Sequence, residues 1–408
     1  MKKEKSFTPV LLGADLCAYS VARAFHEYSG AVSHAFGRYK CGITGFSKIV
    51  KTHVCAGLDD IKIAGPALFD FADRNKEKRM LLIPCSDLYT EIAAMVAQRF
   101  ADYYTTVLPR SELRHLLRDK VAFYSVLSEY NIPYPKTVSM TYFRRNEAEV
   151  DRFSYPAVIK PADSAHYWQA CKFPGMRKVY FVKNEAEAKC ITEKIYSSGY
   201  RGRIAIQERI GYEHAYNSVL TVFCQNGRAV RAVYGRVILE EVGITSHGNH
   251  AAIITEPINA LSEKLIKMLE SLSYNGFANF DIISDGEREY VLEVNLRQGR
   301  SCDYMRAAGV NIAELLTMAA NNEKIEKSFN VGKVYWRYPP HNTVAALSEK
   351  NDAKEAESLR EAGLEFSPLE YAVDTESSIF RRAYVQYHSR RLEKSFIKNA
   401  RRWCFEAF

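Results

Sequence analysis

At 408 residues the chain exceeds one ordinary core, so two or three domains are expected, and 47% hydrophobic with 25% charged residues excludes a disordered chain. Nine cysteines scattered from Cys17 to Cys404 without a C-x-x-C pair exclude a zinc knuckle and a disulfide framework, and place the chain in a reducing cytoplasm. A net charge of +8 and a pI near 8.8 suit an anionic ligand such as a nucleotide or a phosphorylated precursor; no nucleic-acid motif accompanies the charge, no signal peptide opens the chain, and no run nears the ~20 apolar residues of a membrane span.

In chain order, Thr8–Gly13 reads as a buried strand. Ala14–Tyr28 follows as a helix with Ala18, Val21, Ala22 and Phe25 at helical spacing and Gly30 as its stop. A lone Gly13 is no dinucleotide fingerprint, which needs G-x-G-x-x-G. Met80–Pro84 repeats the strand, with Cys85-Ser86-Asp87 at its carboxyl end and a helix from Tyr89 to Arg99. These are units of an open α/β sheet, whose ligands bind at the carboxyl ends of strands, so Asp15, Arg23 and Asp87 are substrate-contact candidates. Asp15 and Asp87 read equally well as helix caps.

A domain boundary falls near Leu108–Arg118, giving an N-terminal domain over 1–118 and a second over 119–327. In Asp119–Tyr130 the stripe Phe123, Val126, Leu127 and Tyr130 leaves Lys120 at the helix start, and Ile132-Pro133-Tyr134-Pro135-Lys136 breaks the helix. The strand Tyr155–Pro161 ends on Lys160. A buried ammonium without a partner costs several kcal/mol, so Lys160 must meet an anion. Asp163–Lys178 reads as a loop leading through Arg177-Lys178 into the strand Val179–Val182, either a basic lid over phosphates or a solvated loop. Asn184–Gly199 is a structural helix. Arg203–Ile210 is a strand carrying Gln207-Glu208-Arg209-Ile210, with Gly211 and Glu213 beyond it. Ser218–Cys224 and Arg228–Glu240 form a hairpin on Asn226-Gly227. Helices follow at Leu261–Leu272 and Asn311–Ala320. Residues 328–408 form a less regular C-terminal region ending in the basic segment Ser389–Phe408, where Leu392, Phe396 and Trp403 share an apolar face. That segment has two readings: docking on its own protein, or lying on an anionic membrane surface.

Gly276–Ser301, GFANFDIISDGEREYVLEVNLRQGRS, concentrates the chemistry. Phe277–Ile283 and Tyr290–Leu296 are strand-like, and Asp285-Gly286 is a turn. A connection of roughly five residues sets Asp281 opposite Glu293. Glu293 and Asn295 share a face by alternation, so Asp281, Glu293 and Asn295 converge as three oxygen ligands of the kind Mg²⁺ takes while it holds phosphate oxygens. Arg297 continues that face, where charge on a transferring phosphoryl group develops. The bland alternative is that both acids are solvated strand residues.

A lysine opening a helix, a lysine ending a strand, the Gln-Glu-Arg-Ile hinge and the D…E-x-N hairpin, in this order, resemble the ATP-grasp superfamily over Asp119–Ala320. PVLLGADLCAYSVARAF, FSKIV, KVAFYSVLSEYNIPYPKT, YPAVIKPADS, GFANFD and EVNLRQGRS resemble more narrowly the D-aspartate ligase family of peptidoglycan assembly. The resemblance implies an N-terminal open α/β domain, then an ATP-grasp fold of mostly antiparallel sheets, then a C-terminal extension. It implies ATP with two Mg²⁺ ions, Mn²⁺ being able to substitute. Lys120 and Lys160 then contact phosphates, with Lys178 of the candidate lid a further ATP-binding residue, the backbone around Glu208, Arg209 and Ile210 holds adenine, and Glu213 holds the ribose. Asp281, Glu293 and Asn295 bind the metal, and Arg297, Gly299, Arg300 and Ser301 surround the carboxylate and its acyl phosphate, with Arg297 and Arg300 catalytic. The implied reaction joins the β-carboxylate of D-aspartate to the side-chain amine of an anionic UDP-linked muramyl peptide, releasing ADP and phosphate. At Ser218-Val219 the chain departs from the family pattern, which carries an arginine there. A different amino acid or a small-peptide acceptor, and a nucleotide-binding regulator without turnover, are the competing readings. No histidine motif marks a general base, and the leaving phosphate is a candidate for that role.

Overall fold

A computed structural model describes residues 7–142, 153–211, 215–241, 246 and 248–406. The first hundred residues alternate buried runs with capped helices, in the order β1 (Thr8–Leu12), α1 (Leu16–Ser29), β2 (Ser33–Gly37), α2 (Gly42–Gly45), β3 (Val50–Val54), α3 (Ile61–Asp73), β4 (Met80–Pro84), α4 (Asp87–Arg99) and β5 (Tyr104–Thr105). All five strands are parallel, in the order β3-β2-β1-β4-β5. Asp15 caps α1 by accepting from the Cys17 and Ala18 amides, and Gly30 closes it in the left-handed conformation.

Helices α5 (Ser111–Arg118) and α6 (Lys120–Glu129) lead into β6 (Thr137–Met140), β7 (Ala157–Pro161), α7 (Ser164–Ala170), β8 (Tyr180–Val182), α8 (Glu185–Ser197) and β9 (Ile204–Glu208). The four strands pair antiparallel as β6-β9-β7-β8. The stretch expected to be a loop over 163–178 therefore contains a helix, capped by the Asp163 carboxylate accepting from the His166 amide and anchored by the buried Tyr167.

Next come β10 (Tyr216–Gln225), β11 (Arg228–Glu240), β12 (His250–Glu256), α9 (Ala260–Ser271), β13 (Gly276–Ser284), β14 (Glu289–Asn295), α10 (Asp303–Ala307) and α11 (Ile312–Ala320). Asn226 and Gly227 both take positive φ, 51° and 77°, the turn that lets β10 and β11 pair at once. The C-terminal region adds β15 (Tyr335–Arg337), α12 (His341–Leu347), α13 (Lys350–Glu361), β16 (Glu365–Phe366), α14 (Ala372–Thr375) and α15 (Ile379–Glu406). Strands β15 and β16 extend the central sheet, whose order is β14-β13-β10-β11-β12-β15-β16. A boundary at 327/328 thus runs through one continuous sheet.

One apolar core joins the N-terminal unit to that sheet. Leu16, Tyr19 and Phe25 of α1 pack in a cluster with Val219, Phe223 and Val233 of the sheet, Ile312 and Leu316 of α11, and Trp336 of β15. The last helix docks on its own protein through Arg381, Val385 and Phe396, with Leu392 against the same core. The side chain of Trp403 lies outside the described residues. Among them no helix is long and apolar enough to cross a membrane.

Candidate active site

A cavity of about 370 Å³ opens between the antiparallel sheets. One side carries Val158 and Lys160 of β7, Phe181 of β8 and Gln207 to Gly211 at the end of β9; the other carries Asn217, Glu240, His250, Asp281, Leu292 and Glu293. Asp281 and Glu293 are directly paired across the β13/β14 hairpin, as the turn spacing predicts, and Asn295 pairs with Asn279 two residues along. The turn is held by Asp285, whose carboxylate accepts from the Glu287 and Arg288 amides while Gly286 takes φ 98°.

Lys120 and Lys178 reach this hairpin from different elements, with Nζ 2.7 Å and 3.5 Å from the Glu293 carboxylate. Burial works against a charged Lys120, but Glu293 outweighs it and raises its pKa. Burial also disfavours the Glu293 anion, yet Lys120, Lys178 and Lys160 together hold its pKa well below the ordinary carboxylate range. Asp281 goes the other way, pushed up to about 8 by burial and by the adjacent Glu293 charge. Lys160 is lowered to about 8 by burial, with Lys120 and Lys178 adding repulsion. Three lysines thus converge on the two carboxylates of the hairpin, an arrangement that suits a polyanion.

The hinge is tied to both banks of the cavity. Buried Gln207 donates to the Tyr124 and Thr137 hydroxyls, and Tyr124 donates to the Leu292 carbonyl, linking β9 to α6 and β14. Glu208 accepts from the Lys136 amide at 2.6 Å; Arg209 lies over the Phe181 ring, and Ile210 lines the cavity. Glu213 lies outside the described residues.

Beyond Asn295 the chain turns towards the N-terminal unit. Arg297 donates to Asp87 at 2.8 Å and lies 3.5 Å from the Asn295 side chain, while its Nε is buried without a partner. Gly299 is required by a close approach, since a Cβ there would stand 2.5 Å from Asn279 Oδ1, and its carbonyl accepts from the Cys17 thiol. Arg300 pairs with Glu241 at 2.7 Å, and Ser301 is buried beside it. Asp15, exposed at the start of α1, lies in the field of both Arg300 and Arg297, which favour its charged form. Asp15 thus caps α1 and also faces the cleft.

Arg23 does not join this group. Its guanidinium donates to the Ser367 and Pro368 carbonyls and pairs with Glu27, so the expected substrate contact is corrected to a strut between α1 and the C-terminal region. Four cleft residues escaped the sequence reading. Glu240, with its pKa raised to about 7 by burial, and His250, lowered to about 4 by burial, lie in the cavity; Glu241 and Tyr338 flank Arg300. An acidic pair at the end of a strand whose other charged residues are all arginines was the available signal for Glu240 and Glu241.

The donor set suits a hard cation. Among the described residues no three His, Cys, Asp or Glu side chains form a self-contained metal cage. Two carboxylates and an amide leave positions open for phosphate oxygens, which is how Mg²⁺ is held in phosphoryl-transfer sites.

A family model described as an ATP-grasp domain matches residues 117–301. The D-aspartate ligase of Enterococcus faecium (strain Aus0004) is 32% identical over 325 residues, 77% of each chain. The biotin carboxylase domain of the Hydrogenobacter thermophilus 2-oxoglutarate carboxylase superposes with a TM-score of 0.61 at 15% identity, covering 81% of this chain and 73% of that one. An L-amino acid ligase from Bacillus licheniformis gives 0.56 at 14% identity over 78% and 75%. These two likenesses show the shared fold. With the relative matched along both chains, the protein belongs to the D-aspartate ligase family of ATP-grasp carboxylate–amine ligases and is an ATP-dependent ligase.

Proposed function

We propose that the protein activates the β-carboxylate of D-aspartate as an acyl phosphate and joins it to the side-chain amine of a UDP-linked muramyl peptide in cell-wall assembly, releasing ADP and phosphate. The observation that carries this reading is the convergence of Lys120, Lys160 and Lys178 on the Asp281/Glu293 pair, with Arg297 continuing the same hairpin out of the cavity. A carboxylate is inert towards amines at neutral pH, so the chemistry begins with phosphoryl transfer, which needs positioning and charge neutralisation more than covalent help. The lysines take the phosphates, and Glu208, Arg209 and Ile210 line the adenine end. Gln207, whose Oε1 is buried without a partner, offers an acceptor to an amino group there.

Asp281, Glu293 and Asn295 would hold two Mg²⁺ ions, for which Mn²⁺ can substitute, and these supply neutralisation of the phosphoryl oxygens. Arg297 and Arg300, with Gly299 and Ser301 shaping the turn, meet the substrate carboxylate. A rigid guanidinium fork suits a developing oxyanion better than an ammonium. Asp87 holds Arg297 in place until substrate enters. The released phosphate is the candidate acceptor of the amine proton.

Mass spectrometry of the product formed from ATP, a panel of D- and L-amino acids and muramyl peptide precursors tests the reading. The expected product is the aspartyl adduct of the peptide, formed from D-aspartate and not from its L-isomer. An adduct of another amino acid would reassign the substrate.

A further inference from the structure

The matched domain ends at Ser301, yet the chain beyond it walls the carboxylate half of the cleft. Arg300 pairs through Nη1 with Glu241, and its guanidinium carbon stands 5.1 Å from the centroid of the Tyr338 ring. Tyr338 follows β15 immediately and is 5% exposed. Its hydroxyl lies 2.8 Å from Nε2 of His388 on α15. Tyr384, one turn earlier, stacks on the same imidazole at 5.5 Å between centroids, with its hydroxyl 3.4 Å from Nδ1. Burial, then Arg391, Arg381 and Arg300, hold the His388 pKa down to about 4, so it is a neutral ring with one donor and one acceptor.

The helix that brings His388 is itself fixed. Arg381 and Asp374 form a fully buried pair at 2.8 Å. Asp374 also accepts from the Tyr19 and Ser47 hydroxyls and the Lys48 amide, and Arg381 donates to the Ile43 carbonyl. The stack Arg300–Tyr338–His388 therefore rests on a rigid support. A guanidinium held by its face keeps the N–H groups that Glu241 does not engage free to meet a second carboxylate in plane.

We propose that Tyr338 is a positioning residue for Arg300, with His388 fixing the ring, so that the last helix sets how tightly the amino-acid substrate is held. This rests on the reading that Arg300 meets the substrate carboxylate. The stack lies outside the lining of the nucleotide cavity, which includes none of Arg300, Tyr338 and His388. Its loss should be felt in one substrate only.

The test is ADP release by the full-length protein with the UDP-linked muramyl peptide acceptor held at saturation and D-aspartate and ATP varied in turn. Tyr338→Leu should raise the KM for D-aspartate about thirtyfold, the value of a desolvated cation–π contact, and leave the KM for ATP within about twofold. Tyr338→Phe, which keeps the ring, and His388→Leu should each raise it about fivefold, and His388→Gln should restore it by supplying a new partner for the hydroxyl. In a double-mutant cycle, Arg300→Lys combined with Tyr338→Leu should be no worse than Arg300→Lys alone. Additive losses, or equal rises in both KM values, would overturn the inference. If Tyr338→Leu fails to fold, a flat D-aspartate KM in Tyr338→Phe and His388→Leu overturns it instead. A wild-type protein that releases no ADP with any amino acid defeats the functional reading itself, whereas an active wild type with an unchanged Tyr338→Leu defeats only this inference.

Discussion

Lys120, Lys160 and Lys178 meet Asp281 and Glu293 from neighbouring elements of one matched domain, whereas Arg297 and Arg300 meet partners spread from Asp15 to His388. The proposed nucleotide end is self-contained: cations from the start of α6, from β7 and from the segment just before β8 face a carboxylate pair fixed by hairpin register. The carboxylate end is assembled from the N-terminal unit, the turn after β14 and the C-terminal helix. The contrast suggests that phosphate handling can be held within one fold unit while substrate choice depends on how the whole chain packs. Damage at the first end should therefore stop turnover outright, and damage at the second should change affinity, specificity or stability.

The largest effect is expected at Glu293, which Lys120 and Lys178 both touch. Glu293→Gln should lower ADP formation on the order of a thousandfold with every amino acid tested, measured as steady-state release. A loss under tenfold would break the separation of the two ends. Arg297→Lys keeps the charge but loses the fork. It should lower kcat about a hundredfold while the KM for ATP stays within about twofold. A matching rise in the ATP KM would place Arg297 at the nucleotide end instead.

The C-terminal support offers two smaller tests. Asp374→Ala leaves Arg381 buried without its counter-charge and should cost roughly 3 kcal/mol, seen as a melting temperature lowered by several degrees. An unchanged melting curve would mean that α15 is not structurally coupled to the rest. The pH dependence sharpens the same point. The His388 pKa lies at about 4 in the fold against an ordinary 6.5, so the unfolded chain takes up its proton first as the pH falls. The stability that follows from a neutral His388 is complete above pH 6.5 and is lost as the pH falls towards 4. His388→Gln should flatten the thermal stability curve slightly over that window, and an identical curve would remove His388 from the support.

The same contrast decides what was legible beforehand. The hairpin was readable because its parts are local: an Asp-Gly turn, a fixed strand period and an E-x-N pair place Asp281 against Glu293 with no knowledge of the rest. Lys120 was readable as the first residue of a helix whose opposite stripe is apolar. Tyr338 and His388 carry no local signal, since their pairing spans fifty residues and exists only once α15 docks. Arg23 was misread for a related reason. Strand order places α1 near the cleft, but the face bearing Arg23 looks towards residues 367–371, and only tertiary packing reveals it. Helix α7 was hidden by a short sequence whose propensity is modest and whose anchor is the single buried ring of Tyr167.

The most direct test of the two-ended cleft follows an oxygen atom from one end to the other. With D-aspartate carrying heavy oxygen in its β-carboxylate, turnover in the presence of ATP and the muramyl peptide acceptor should place a labelled oxygen in the released phosphate, read by phosphorus NMR or mass spectrometry. Phosphate free of label, with the expelled carboxylate oxygen found in AMP or in water instead, would contradict acyl phosphate formation between the Glu293 and Arg297 ends of the hairpin.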